Sequence, residues 1–158
     1  MLASVSSTYV DLMTSVFSAA IVGKAWFATA AVGFAVVQVL TAARIFGKLQ
    51  RFIRPRYLGL PVNRIHRWSG RLAFLCTLPV AFHCIFILGF QTSSPRVLAH
   101  SLLGTFFYGA FAVKILCVRD RSLPGWALPV AGGTLATMLA ALWASSSFWY
   151  FTNVHFGF

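Results

Sequence analysis

The sequence predicts an all-α membrane protein, a bundle of four transmembrane helices in a single membrane domain covering residues 1–158. Three observations predict it. Hydrophobic residues make up 59% and charged residues 9% of the chain, against about 45–50% and 25% in soluble domains. Four apolar runs are each long enough to cross a hydrocarbon core of about 30 Å, which takes roughly 20 helical residues. The basic residues gather between the runs: of 13 Lys and Arg, eight fall between Arg44 and Arg71, as in the cytoplasmic segments of membrane proteins. The only acids are Asp11 and Asp120. A net charge of +11 would suggest a nucleic-acid partner in a soluble chain. Here the charges flank apolar runs, and no nucleic-acid partner is expected. Cys76, Cys84 and Cys117 lie inside apolar segments without CxxC spacing, so they read as small buried residues. No cleavable signal peptide is expected, because the first 18 residues carry no Lys or Arg and precede a long apolar run.

In residues 1–24, Tyr9, Leu12, Met13, Val16, Phe17, Ala20 and Ile21 recur at helical spacing. They form either a short interfacial helix or an outer extension of the first span. The first span is placed at 25–46. Trp26 is its interfacial anchor and Gln38 its one strongly polar interior residue, and its small residues (Ala28, Ala30, Ala31, Gly33, Ala35) let neighbours approach. The connector Arg44–Arg64 carries Pro55, Gly59 and Pro61, so it is not one helix. Its charge places it in the cytoplasm. The second span is placed at 67–90, with Pro79 removing a hydrogen bond one turn before His83 and kinking the helix. QTSSPR, residues 91–96, turns the chain into a third span at 97–118. RDRSLPG then leads into a fourth at 126–151, with a small-residue face (Gly132, Gly133, Ala136, Ala140, Ala144) and an aromatic end. Both termini fall outside, and the expected location is the plasma membrane, multi-pass.

His83 and His100 are the candidate site. Helix rise puts His83 roughly 6–7 Å and His100 roughly 11 Å from the centres of their spans, toward the same face. Two facing imidazoles in a four-helix membrane bundle suit the axial positions of one haem b iron. Gly104, one turn from His100, leaves room for a flat ring, and Phe107 and Phe111 continue that face. Arg96 is a candidate partner for the haem propionates, with Ser93 and Ser94 as nearby donors. The competing reading is a pair of histidines that only hydrogen-bond across helices. Zinc or copper would need more ligands than two histidines. His66 lies 17 residues before His83, roughly 25 Å along a helix, and cannot share its haem. It is either an interfacial histidine or a quinone contact and proton group on the inner side. Lys114 lies 14 residues after His100 and either snorkels to the inner headgroups or joins His66 in a second site, for quinone or another haem. His155 is assigned no role.

The segment HRWSGRLAFLCTLPVAFH, residues 66–83, resembles the helix openings of ferric-reductase-like transmembrane domains and is similar in type to the cytochrome b561 group. The resemblance implies a deep haem ligand at His83 and its partner at His100. Those families carry two histidine pairs, where this chain has one clear pair and Lys114. The run from HRWSGR through LPGWALP also resembles a small four-helix membrane family of actinobacterial type.

The function expected is electron transfer by a membrane haem b protein, between a quinone pool or a partner subunit and an exported redox protein of cupredoxin or cytochrome c type. From a different class comes a haem-free accessory subunit of a larger membrane, respiratory complex. A small solute carrier ranks last, since only Pro79 and Gln38 hint at interrupted helices and midplane polarity. No nucleophile–base set or phosphate loop is present, so a stand-alone enzyme is not expected.

Overall fold

The computed structural model describes residues 2–52, 56, 57, 59–120 and 122–154. Pro55, Arg121 and His155 lie outside the described residues. Helix α1, Leu2–Thr14, is a separate short helix, while residues 20–24 extend the first span. The chain then turns back through Phe17, whose N–H bonds Met13 O at 2.9 Å. Ala19, in an extended conformation, opens α2, Ala20–Ile45. The turn packs so closely on α2 that a Cβ on Gly23 would lie 2.8 Å from Phe17 Cδ2 and 3.1 Å from Met13 Sδ. Gly23→Ala is therefore expected to destabilise the protein by about 1–3 kcal/mol through overpacking. A thermal melt in detergent, with limited proteolysis of residues 1–19 as the local readout, checks this.

The basic connector holds a two-residue antiparallel ladder between β1, Arg56–Tyr57, and β2, Leu60–Pro61, with Gly59 turning the chain at φ 75°. Helix α3, Val62–Phe82, continues as a π-helical turn, His83–Leu88. Helix α4 is Pro95–Arg119. Asp120 closes the following turn, accepting from Ser122 N at 2.9 Å and Ser122 Oγ at 2.6 Å. These bonds hold its carboxyl below the usual carboxylate range. Helix α5, Ala127–Trp143, widens into a second π-helical turn, Ala144–Phe148, and ends as α6, Trp149–Asn153.

Four continuous segments thus span 25–27 residues each: Ala20–Ile45, Val62–Leu88, Pro95–Arg119 and Ala127–Asn153, about 40 Å long at 1.5 Å per residue. The fold is the four-span helical bundle the composition predicts. Its starts differ from the expected ones. Helices α2 and α3 each begin five residues earlier, and α4 two residues earlier. For α4 the signal was in the sequence: Ser94 caps the helix by accepting from Val97 N at 3.3 Å, and Pro95 occupies its first turn.

Helix α2 lies along α3, α4 lies along α5, and α2 crosses α5. Helices α3 and α4, though consecutive, meet at few points. They are bridged by the Tyr108 hydroxyl, 3.2 Å from Thr77 O, and by stacked Phe74 and Phe111, with centroids 4.6 Å apart. Trp143 Nε1–H donates to Thr29 Oγ1 at 2.9 Å and ties α5 to α2. Apart from Lys24, the buried face of α2 carries small residues such as Ala25, Ala28 and Ala31, so the backbones approach closely. Outside, large apolar side chains such as Leu75, Ile85, Phe106 and Leu116 are more than half exposed. In water an apolar surface this extensive would be untenable for a monomer, but lipid tails accommodate it. The protein is a multi-pass membrane protein.

Candidate functional site

Two polar clusters lie in this apolar bundle, far apart along α3. The first begins with Pro79. Its missing N–H weakens α3 locally, and the helix widens into its π-helical turn at His83. The second π-helical turn carries Ser145 and Ser147. Such turns are frequent at functional sites, and here the two lie on either side of His100 of α4, as the contacts of that residue establish.

His83 is 4% exposed and its Nδ1 is buried with no hydrogen-bond partner among the described residues. Its ring lies 5.9 Å from that of Tyr9. Tyr9 crosses from α1 to donate to Pro79 O at 3.1 Å and packs on Phe82 with centroids 4.7 Å apart. Burial pushes the Tyr9 phenol up, with Cys84 adding to the shift, so it remains a donor at neutral pH.

The tautomer of His100 follows from its neighbour. The Ser145 hydroxyl lies 2.8 Å from Ala141 O and 3.1 Å from Leu142 O, and donates its one hydrogen there. Ser145 Oγ is therefore the acceptor for His100 Nδ1–H, 2.9 Å away. Nε2 then carries the lone pair and faces a weak donor, the Cys84 thiol. It lies 4.0 Å from Cys84 Sγ, on the π-helical turn that begins with His83.

Lys24 of α2, 6% exposed, is the buried cation at this end, and its charge bears on both His83 and His100. Arg96 is anchored at the same turn. Its Nη1 donates to Ser145 O, and its guanidinium stacks over Trp149, 4.1 Å from the ring centroid. Ser147 Oγ is buried without a partner among the described residues. Gly104 faces α5, where a Cβ would meet only Leu142 Cδ2 at 3.9 Å.

The structure thus brings His100 against the turn bearing His83, with Arg96 beside them. It also adds three residues that sequence reasoning left out. Lys24 read as the flank of an apolar run, whereas α2 starts before it and carries it inside. Tyr9 sat on a helix whose placement periodicity could not give. Ser145 looked like one more small residue of the fourth span.

The second cluster lines a cavity of about 740 Å³ between the α2–α3 and α4–α5 pairs. His66, Gln38 and Lys114 supply polar groups, and Phe74 and Phe111 part of the apolar wall. His66 Nδ1 lies 2.8 Å from Thr41 Oγ1, whose own hydrogen goes to Val37 O at 2.6 Å. By the same argument as for His100, His66 Nδ1 carries the proton and Nε2 is bare. The Gln38 amide donates to His66 O and, at 2.9 Å, to Ser69 Oγ. Gly70 leaves it room, since a Cβ there would lie 3.0 Å from Gln38 Nε2. Gly132, Gly133 and Ala136, expected to bring helices together, instead wall the cavity, and a Cβ on either glycine would meet open space. Neither His83 nor His100 lines this cavity. Among the described residues, no three His, Cys, Asp or Glu side chains converge as a metal site.

The fold and these sites define a class: a four-span helical membrane protein with a histidine site at one end of its bundle and a histidine–lysine cavity toward the other. The chain belongs to the family of unknown function DUF6529, which matches residues 3–158. No curated protein and no solved structure matches it.

Proposed function

We propose that the protein is a membrane electron-transfer protein that binds one haem b through His83 and His100. The observation that carries this reading is the buried Nδ1 of His83, which has no partner among the described residues, beside a His100 ring held by Ser145 whose Nε2 faces the Cys84 thiol on the same turn. A buried, unsatisfied imidazole nitrogen such as that of His83 costs about 1–3 kcal/mol, and with the imidazole of His100, whose Nε2 meets only a weak thiol donor, it forms a donor set suited to an axial pair. A bound haem b supplies a one-electron couple. The chain's own residues do the rest. Ser145 fixes the ring orientation of His100, in the way that outer partners of ligating histidines do. Tyr9 covers His83 from α1, and Lys24 together with Arg96 provides positive charge for the propionates. The Cys84 thiol, facing Nε2, is the group that must turn aside, and Cys84→Ser is expected to keep the haem.

Eight of the 13 basic residues lie between Arg44 and Arg71, which orients that end inward and puts His83 and His100 toward the outer face. Electrons would pass between a quinone pool or a membrane partner and an exported redox protein of cupredoxin or cytochrome c type. The test is a reduced-minus-oxidised visible spectrum of protein purified from haem-replete cells. Sharp low-spin haem b bands are expected. A featureless spectrum from folded protein would end this reading and leave the accessory-subunit alternative. Ser145→Ala is expected to weaken haem affinity by about 10–100-fold, the usual effect of removing an orienting partner, measured by haem titration of the apoprotein.

A further inference from the structure

The cavity of His66 and Lys114 has its own chemistry. We infer that it binds a membrane-soluble hydroquinone, one phenolic hydroxyl donating to His66 Nε2 and a ring oxygen accepting from the Lys114 ammonium. The inference deepens the electron-transfer reading, on which it rests for what the ligand does, whereas the binding itself requires no haem.

Four observations lead to this class of ligand. The volume, about 740 Å³, falls within the range of roughly 300–1,000 Å³ common to small-molecule pockets. The lining is mostly apolar, and it lies between helix pairs inside a bundle whose outer surface meets lipid, so the ligand must be soluble in the bilayer. Of the polar side chains besides Gln38, Thr77 is engaged with Phe74 O and Tyr108, Lys48 is exposed beyond α2, and His66 and Lys114 offer one acceptor and one cationic donor. His66 Nε2 is left bare by the bond from Nδ1 to Thr41, and Lys114 can only donate. Gln38 is already committed to His66 O and Ser69. Finally, the chain has no carboxylate to give Lys114. Its two acids are Asp120, engaged by Ser122 after α4, and Asp11, in α1. His66 and Lys114 line the same cavity, where one ligand can meet both groups.

That acceptor–donor pair discriminates among bilayer-soluble molecules. A fatty-acid carboxylate satisfies Lys114 but presents only lone pairs to His66 Nε2. A sterol hydroxyl satisfies one group and leaves the other unmet. A hydroquinone carries hydroxyls that both donate and accept, on a flat ring suited to the wall formed by stacked Phe74 and Phe111.

The experiment uses full-length protein in nanodiscs and the fluorescent hydroxyquinoline N-oxide carrying a heptyl tail, a quinol mimic with an O–H and an oxygen acceptor. Binding is measured by equilibrium dialysis against empty nanodiscs. Saturable binding near one per chain is expected. Lys114→Met, which keeps side-chain length, should weaken it at least about tenfold, while Lys114→Arg stays within a few-fold of wild type. Ala73→Trp, which fills the cavity wall without touching either polar group, should abolish it. The His83→Ala, His100→Ala double variant should bind as wild type does, so loss of haem and loss of the quinol site are read separately. Binding no greater than to empty nanodiscs would overturn the proposal, as would unchanged affinity in Lys114→Met. So would two haems per chain with one lost in His66→Ala, which would make the cavity a haem site.

Discussion

His83→Ala and His100→Ala are each expected to abolish the low-spin haem b spectrum, while His66→Ala leaves it intact. The expectation rests on position. His83 begins the π-helical turn of the second span, and His100 Nε2 faces that same turn. His66 lies 17 residues away on α3, roughly 25 Å, with its Nδ1 bonded to Thr41. Losing one axial ligand should cost more than the roughly 10–100-fold attached to an orienting partner. Residual haem, if any, should be high-spin. The apoproteins carry the complementary expectation. In His83→Ala a buried nitrogen that lacked a partner is gone, so the haem-free variant should melt close to haem-free wild type. If instead His83→Ala unfolds the apoprotein while wild type binds no haem, the histidine is a packing residue and the electron-transfer reading fails. Comparing haem titrations and apoprotein melts across the three variants distinguishes these outcomes.

The spans were legible in the sequence because the bilayer demands something simple: about 20 apolar residues per crossing, with cations left at one side. Shared depth of His83 and His100 followed from the same arithmetic. What was not legible depended on partners. Small residues at Gly132, Gly133 and Ala136 permit close helix contact or an open wall, and the sequence of one helix does not say which. Their neighbours across the bundle leave a void, so they line a cavity. The two π-helical turns each shift the helix register by a fraction of a turn, too little to leave a periodicity signal, yet they set where His83 and Ser145 point. The contact of Tyr9 with Pro79 and His83 joins segments 70 and more residues apart, and depends on α1 folding back through a turn that packs closely on Gly23. By contrast, the Ser94–Pro95 start of α4 was a local signal that fixed a helix end.

Lys24→Met is expected to lower the reduction potential of the haem by on the order of tens of millivolts without loss of haem. Lys24 is almost fully buried, next to the small buried residues Gly23 and Ala25, and its charge bears on both histidines. A nearby positive charge favours the less positive state of the iron, the reduced one, and so raises the potential; methionine has similar length and packing without the charge. The same substitution should leave the apoprotein at least as stable as wild type, since replacing a buried charge by an apolar side chain of similar volume is often neutral or stabilising. Lys24→Arg should hold the potential near wild type. Because Arg96 is anchored to Ser145 O and Trp149, Arg96→Met should act differently: it frees the Ser145 turn and weakens haem binding more than it shifts the potential. Spectroelectrochemical titration of the three variants beside wild type decides the matter. An unchanged potential in Lys24→Met would place the charge of Lys24 away from the haem, and a shift of equal size in Lys24→Arg would trace the effect to packing and not to charge.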